Sequence, residues 1–149
     1  MRRSTMVTLG IGLAVALLAA GTIEIFASTD ESESSEAAAA GVVEHIEGSD
    51  IGRVKLTELG AKRIGLATAP VARGKGGTTT VPYSALLYDQ QGATWVYATT
   101  APLTFQRAPV EVATIDGDDV VLARGVAPGT QIATVGVAEL YGTEFEVSH

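Results

Sequence analysis

The chain contains no cysteine, and this absence excludes three kinds of site. No disulfide framework, no thiolate metal centre and no acylated lipoprotein cysteine can form without that residue. Export from the cytoplasm is still open, because many exported bacterial domains fold without disulfides.

Histidine is scarce as well, with His45 in an acidic stretch and His149 at the last position. No histidine is therefore available inside a folded domain for a catalytic triad, and Ser84 lacks the Gly-x-Ser-x-Gly setting of a nucleophile. We interpret His45, which lies between Glu44 and Glu47, as a solvated side chain, since a closed metal site needs three or four ligands at fixed geometry. The sequence predicts a protein that is not an enzyme and uses no cofactor.

Basic residues are fewer than acidic ones, which gives a formal net charge of −7. The distribution of these charges along the chain shows which segment is acidic. Residues 24–50 carry eight acids and no lysine or arginine, whereas residues 51–149 carry eight basic and nine acidic side chains. The acidity therefore belongs to a segment that precedes the folded part. A nucleic-acid-binding domain would show a basic excess, so we expect no nucleic-acid partner.

The one long apolar run extends from Met6 to Phe26. At 1.5 Å per residue, a helix of this length reaches about 30 Å and can cross a bilayer. Arg2 and Arg3 precede the run and acids follow it, which predicts a single-pass protein of the cytoplasmic membrane with its N-terminus inside. We prefer an uncleaved anchor over residues 1–26, because the run ends in a poor cleavage site; a cleaved signal would export the same domain.

Two further segments follow the anchor. Residues 27–50 are acidic and poor in bulky apolar side chains, so they cannot offset the entropy of ordering and are predicted to be a flexible linker. Residues 51–149 are long enough for one domain with its own core. Thr57 is predicted to cap a short helix that ends at Gly65 and directs Leu59 and Ile64 inward.

The rest of this domain consists of short β runs separated by turns. A hairpin around Asp89-Gln90-Gln91-Gly92 is predicted to pair Leu86 with Trp95 and to make Trp95 a core residue. A second hairpin turns at Asp116-Gly117-Asp118-Asp119, which we interpret as a turn because the remaining ligands of a calcium loop are missing. Two registers are open there, and we favour the one that pairs Glu111 with Arg124. Pro70 marks its own run as an edge strand or a bent strand, not a central one.

These runs also carry a family resemblance. The matching features are the order and spacing of Val-Pro-x-Ser-Ala-Leu at 81–86, Gly-x-Thr-Trp-Val-Tyr at 92–97, Arg-x-Pro-Val at 107–110, the Gly125 to Gly136 turn and β run, and Ala-Glu-Leu-Tyr-Gly at 138–142. In this the chain resembles the membrane-proximal β domain of the periplasmic adaptor subunits, or membrane fusion proteins, of RND-type efflux systems. Residues 54–71 look like the segment that pairs back into that domain from the other end of an adaptor chain.

The resemblance implies a fold and a set of partners. The fold is mainly β, a small barrel-like or sandwich-like domain with one short helix, without the lipoyl domain and long α-hairpin of a full adaptor. The implied function is that of an accessory to an inner-membrane efflux transporter, with the membrane as a second partner and a homo-oligomer as a further option. The alternative is a stand-alone extracytoplasmic binding or sensing module. Candidate contacts to lipid or partner are four basic residues near the start of the domain, Arg53, Lys55, Lys62 and Arg63.

Overall fold

The structure is a computed structural model that describes residues 40–146. The predicted anchor, residues 1–26, lies outside the described residues, as does the predicted linker up to residue 39. Within residues 40–146, no helix is both long and apolar enough to cross a membrane.

The described residues form a mainly β structure with two α-helices and two short 3-10 helices, Lys75–Gly77 and Tyr83–Ala85. The strands are β1 (Gly41–His45), β2 (Gly52–Leu56), β3 (Ala67–Pro70), β4 (Ala72–Arg73), β5 (Thr79–Pro82), β6 (Leu87–Tyr88), β7 (Thr94–Ala101), β8 (Thr104–Pro109), β9 (Glu111–Asp116), β10 (Asp119–Arg124) and β11 (Gln131–Val135). The α-helices are α1 (Glu58–Arg63) and α2 (Val137–Glu146). The mainly β class and the short helix α1 are confirmed, whereas α2 was not predicted.

All strand pairs are antiparallel, and they form two sheets. The larger sheet has the order β1-β2-β8-β7-β11-β3, with β6 also paired to β7. The smaller sheet has the order β4-β5-β10-β9. Strands from the start of the described chain thus pair with strands from its end, as Val54 opposite Phe105 and Ala69 opposite Ile132 show.

The larger sheet is the middle of three layers because its strands alternate apolar side chains between two faces. On one face, Val54, Phe105 and Tyr97 pack with residues of both helices, including Leu140. On the other face, residues such as Val96 and Ile132 pack with Val81 and Val120 of the smaller sheet. Each fully buried side chain of this kind contributes roughly 1.5 to 3 kcal/mol. The two cores therefore hold the helices and the smaller sheet to opposite faces of the larger one.

Helix α1 begins and ends as predicted, but its buried face differs. The Thr57 hydroxyl accepts a hydrogen bond from the Gly60 amide at 3.0 Å, and Gly65 follows the helix with a φ of 61°. Gly60 and Ala61 are the buried residues, and Gly60 lies so close to Ala40 that a Cβ at position 60 would collide with the Ala40 carbonyl oxygen. The prediction that Leu59 faces inward is wrong, since this side chain is 49% exposed.

The register predicted for the first hairpin is wrong by one residue. Trp95 lies opposite Leu87, and Tyr88 lies opposite Thr94. The cause is the side chain of Asp89, whose Oδ1 accepts hydrogen bonds from the amides of Gln91 and Ala93 at 3.0 and 2.8 Å. These bonds close the turn with Asp89 opposite Ala93, so three residues, 90–92, separate the paired positions instead of the predicted four.

The second hairpin has the favoured register. Glu111 lies opposite Arg124, with 3.5 Å between the arginine Nε and the carboxylate Oε2, and Asp116 lies opposite Asp119. β3, which ends in Pro70, is an edge strand of the larger sheet, also as predicted.

The folded part begins earlier than the predicted boundary at residue 51. β1 lies within the segment predicted as linker, and it pairs along its whole length with β2. Val43 packs against the core beneath the helices, which explains why the strand is ordered although its neighbours are acidic. A single apolar side chain placed opposite Val54 was too weak a signal in the sequence.

Candidate functional site

The most unusual group in the structure is a buried ion pair between the larger sheet and helix α2. Arg107 on β8 is 7% exposed and Glu144 on α2 is 2% exposed. The guanidinium Nε donates to Glu144 Oε2 at 2.7 Å, and the Tyr97 hydroxyl donates to the same oxygen at 2.6 Å. Glu144 Oε1 accepts from the Gly52 amide at 2.8 Å. One carboxylate therefore joins α2 to three strands, β2, β7 and β8.

Strand alternation and helical spacing place these groups. Tyr97 and Trp95 lie on the face of β7 that is directed toward the helices, and the cross-strand partner of Tyr97 is Arg107. On α2, the buried residues Val137, Leu140 and Glu144 recur at the spacing of one helical face. The buried face of α2 is otherwise apolar, and it places the Glu144 carboxylate against the Arg107 guanidinium.

The environment fixes the ionisation of Tyr97. Burial, together with the hydrogen bond to the Glu144 carboxylate, raises the pKa of Tyr97 above its ordinary value of 10.0. The tyrosine remains a neutral donor at physiological pH. Its bond to a buried carboxylate is charge-assisted, the stronger class of protein hydrogen bond.

Aromatic rings surround the other side of the Arg107 guanidinium. Its central carbon lies 4.8 Å from the centroid of the Trp95 ring, 5.0 Å from that of Phe145 and 5.9 Å from that of Tyr141. These distances are those of cation–π contacts, which are worth more when the cation is desolvated. The rings therefore help Glu144 to stabilise a positive charge inside the protein.

A cleft of about 830 Å³ opens beside this group. Arg107, Trp95, Tyr141 and Phe145 line its floor, and the turns at residues 48–51 and 89–91 line its rim. This volume lies within the range of roughly 300 to 1,000 Å³ that is usual for ligand clefts. The site combines a floor of aromatic rings around one guanidinium with a mainly polar rim, which suits recognition of a ligand.

Asp89 anchors one side of the rim. Its Oδ2 accepts a hydrogen bond from Trp95 Nε1 at 2.9 Å, while its Oδ1 holds the turn. These bonds lower the pKa of Asp89, the Trp95 bond most of all. The carboxylate is therefore negatively charged at neutral pH, and it fixes the orientation of the indole ring in the cleft.

The structure does not bring the four predicted basic contacts together. Arg53 and Lys55 share the outer face of β2, where Arg53 lies 3.6 Å from the Glu44 carboxylate. Lys62 and Arg63 lie in the last turn of α1, which packs against the opposite face of that sheet through Ala61. Contact of these residues with lipid or a partner remains a prediction. Across residues 40–146, no group of three or more histidine, cysteine or carboxylate side chains is placed to hold a metal ion.

Sequence reasoning missed this site, although two signals were present. Arg107 is a charged residue two positions after Phe105, on the inner face of a strand, and Glu144 falls on the same helical face as Leu140. Charges at apolar positions on two elements indicate a buried pair. Trp95 was predicted to be a core residue, but it is only partly buried and lines the cleft.

Comparison with known proteins gives no family for the chain, since no protein-family model matches it and no curated protein matches it. Any functional proposal therefore rests on the strand pairing of the domain and on the contacts and charges of the cleft.

Proposed function

We propose that this chain is a non-enzymatic, extracytoplasmic adaptor-type domain that is held at the cytoplasmic membrane and acts on an efflux transporter through protein contacts. The observation that carries the proposal is the pairing of β2 with β8 and of β3 with β11. This is the arrangement expected from the resemblance, in which a segment from one end of an adaptor chain completes the sheet of the other end.

The connections inside the domain also bear on its reach. From β2 to β11 each strand is joined to the next by a short connection or by α1, with no long helical insertion between them. A domain of about a hundred residues has a radius of gyration of only about 13 Å. We therefore propose that this domain acts beside its own membrane, as a collar or regulator of a transporter, and does not reach a distant outer-membrane channel.

Site-specific photocrosslinking in the native membrane tests this proposal. A photoreactive side chain is introduced into the full chain at Gln91, on the rim of the cleft, and at Asp118, in the exposed turn of the smaller sheet. We expect an adduct with an inner-membrane transporter from one position and none from the other, because one face of the domain makes the contact. Adducts with an outer-membrane channel would contradict the short reach.

A second candidate function is a stand-alone extracytoplasmic binding module, which the cleft at Arg107 favours. In that case neither crosslinking position gives a transporter adduct. A soluble or cell-envelope ligand would then occupy the cleft without any transporter.

A further inference from the structure

We infer that the cleft beside Arg107 binds a segment of a partner polypeptide and that a lysine or arginine side chain of that segment lies at its rim. The inference rests on the proposed function, because it names the surface through which the domain contacts its partner. Three properties of the cleft carry it: the sign of its charge, its free hydrogen-bond donors and its apolar walls.

The charge of the cleft favours a cation, although an arginine lies at its floor. Glu144, at 2.7 Å, offsets the charge of Arg107. Asp50 and Asp89 also line the cleft, and among residues 40–146 no lysine or arginine nitrogen lies within 4.0 Å of either carboxylate. The site therefore carries an excess of negative charge, and an anionic ligand would be repelled.

The terminal nitrogens of Arg107 favour an uncharged hydrogen-bond acceptor in the ligand. Its Nε is bonded to Glu144, but within the described part of the chain its two terminal nitrogens have no hydrogen-bond acceptor. These nitrogens belong to a side chain that is 94% buried and that lines the cleft. Because the ion pair is already neutral, a neutral carbonyl oxygen is the fitting partner, and a polypeptide main chain supplies one at every residue.

The walls of the cleft suit the stem of a long basic side chain. Phe145 is 40% exposed, and Trp95 on the floor and Ile51 on the rim add further apolar surface to the lining. Lysine and arginine bury their methylene stems along such surfaces while the charged head remains near water or a carboxylate. One residue of a peptide thus provides the carbonyl for Arg107, the stem for the walls and the cation for Asp50 and Asp89.

The cleft contains its own reporter, because Trp95 is the single tryptophan of the sequence. The full-length chain in non-ionic detergent is titrated with three capped peptides, N-acetyl-Ala-Lys-Ala-amide and its counterparts with Gln or Glu at the centre, while the emission of Trp95 is recorded. We expect a saturable change with the Lys peptide, a weaker one with the Gln peptide and the weakest with the Glu peptide.

Variants at two aspartates make the test specific. Asp50→Asn is expected to weaken binding of the Lys peptide by about two- to fivefold, the effect of one partly exposed ion pair. Asp118→Asn removes the same charge from a turn that does not line the cleft and should leave the affinity unchanged. The unfolding transition of each variant shows whether the fold is intact.

Three outcomes would overturn the inference: equal or tighter binding of the Glu peptide, the same loss of affinity in both variants, or no saturable change with any peptide. A failure of the proposed function is distinguishable from these. Saturable, Asp50-dependent binding of the Lys peptide without any transporter adduct would refute the proposed contact with a transporter. It would still support the assignment of the cleft as a peptide-binding site. A transporter adduct at Gln91 without peptide binding would support the proposed function and refute the assignment of the cleft.

Discussion

At the scale of single residues, the structure depends on how one buried carboxylate is satisfied. A buried ion pair is a net gain only where further hydrogen bonds compensate for the loss of water. Glu144 meets this condition, since it accepts bonds from Arg107, Tyr97 and the Gly52 amide. Arg107 also lines the cleft, together with Tyr141 and Phe145 of α2, so the stability of α2 and the shape of the cleft are linked.

The first prediction concerns the loss of that carboxylate. Glu144→Ala leaves the Arg107 charge buried without its partner and should lower the free energy of unfolding by about 3 to 5 kcal/mol, as measured by urea denaturation. Glu139→Ala is the matched control, because Glu139 is an exposed glutamate on the same helix and its loss should cost less than about 0.5 kcal/mol. Equal effects of the two substitutions would show that the pair does not stabilise the fold.

The second prediction follows from the raised pKa of Tyr97. The folded state holds the hydroxyl proton above pH 10 while the unfolded state releases it, so the stabilising effect is complete below pH 10 and is lost as the pH rises further. The free energy of unfolding should fall by up to about 1.4 kcal/mol per pH unit in that range.

Tyr97→Phe is the comparison for this pH dependence. The variant cannot titrate at position 97, so its slope above pH 10 should be shallower than that of the wild type, although its stability at pH 7 is lower. Urea unfolding at pH 8, 9, 10 and 11 measures both slopes. Parallel slopes would mean that Tyr97 ionises equally in the folded and unfolded states.

At the scale of elements, local chemistry was enough to predict some boundaries and registers but not others. The cap at Thr57, the edge strand ending in Pro70 and the pairing of Glu111 with Arg124 each follow from residues within a single helix start, strand or hairpin. The register at Trp95 depends on a hydrogen bond that the Asp89 carboxylate accepts from the Ala93 amide, and the sequence alone fits the four-residue turn equally well. The burial of Gly60 depends on Ala40, twenty positions away, and no local pattern contains that contact.

The third prediction uses one substitution in two helices. Gly60→Ala places a methyl group against the carbonyl of Ala40 and should destabilise the protein by about 1 to 3 kcal/mol. Gly142→Ala lies in α2, where an added Cβ meets nothing within 4 Å, and should stabilise it by about 0.5 to 1 kcal/mol through helix propensity. Thermal melting of both variants measures the difference, and two shifts of the same sign would be inconsistent with the packing of α1.

At the scale of the whole molecule, contacts between distant segments decide the fold and the site. Glu144 reaches the Gly52 amide, and β1 lies at the edge of a sheet that ends, on its other side, in β3. The mainly β class follows from the alternation of short runs in the sequence. The cleft does not, because its residues come from four regions of the chain, around positions 50, 90, 107 and 141, which the pairing of β7 with β8 and the packing of α2 bring together.

The last prediction concerns where the folded unit begins. A fragment of residues 40–149 retains β1 and the Ala40 carbonyl, which accepts a hydrogen bond from the Thr57 amide at 3.1 Å, whereas a fragment of residues 51–149 lacks both. Loss of the Val43 side chain from the core and of a paired strand should lower the free energy of unfolding of the shorter fragment by roughly 2 to 4 kcal/mol. For a domain of this size, that corresponds to a melting temperature lower by about 10 to 25 °C.

Circular dichroism at 218 nm during heating compares the two fragments with the full chain. Coincident transitions of the two fragments would show that β1 adds nothing to the fold, whereas a fragment 40–149 that melts with the full chain while the shorter one melts early would place the start of the folded unit at β1.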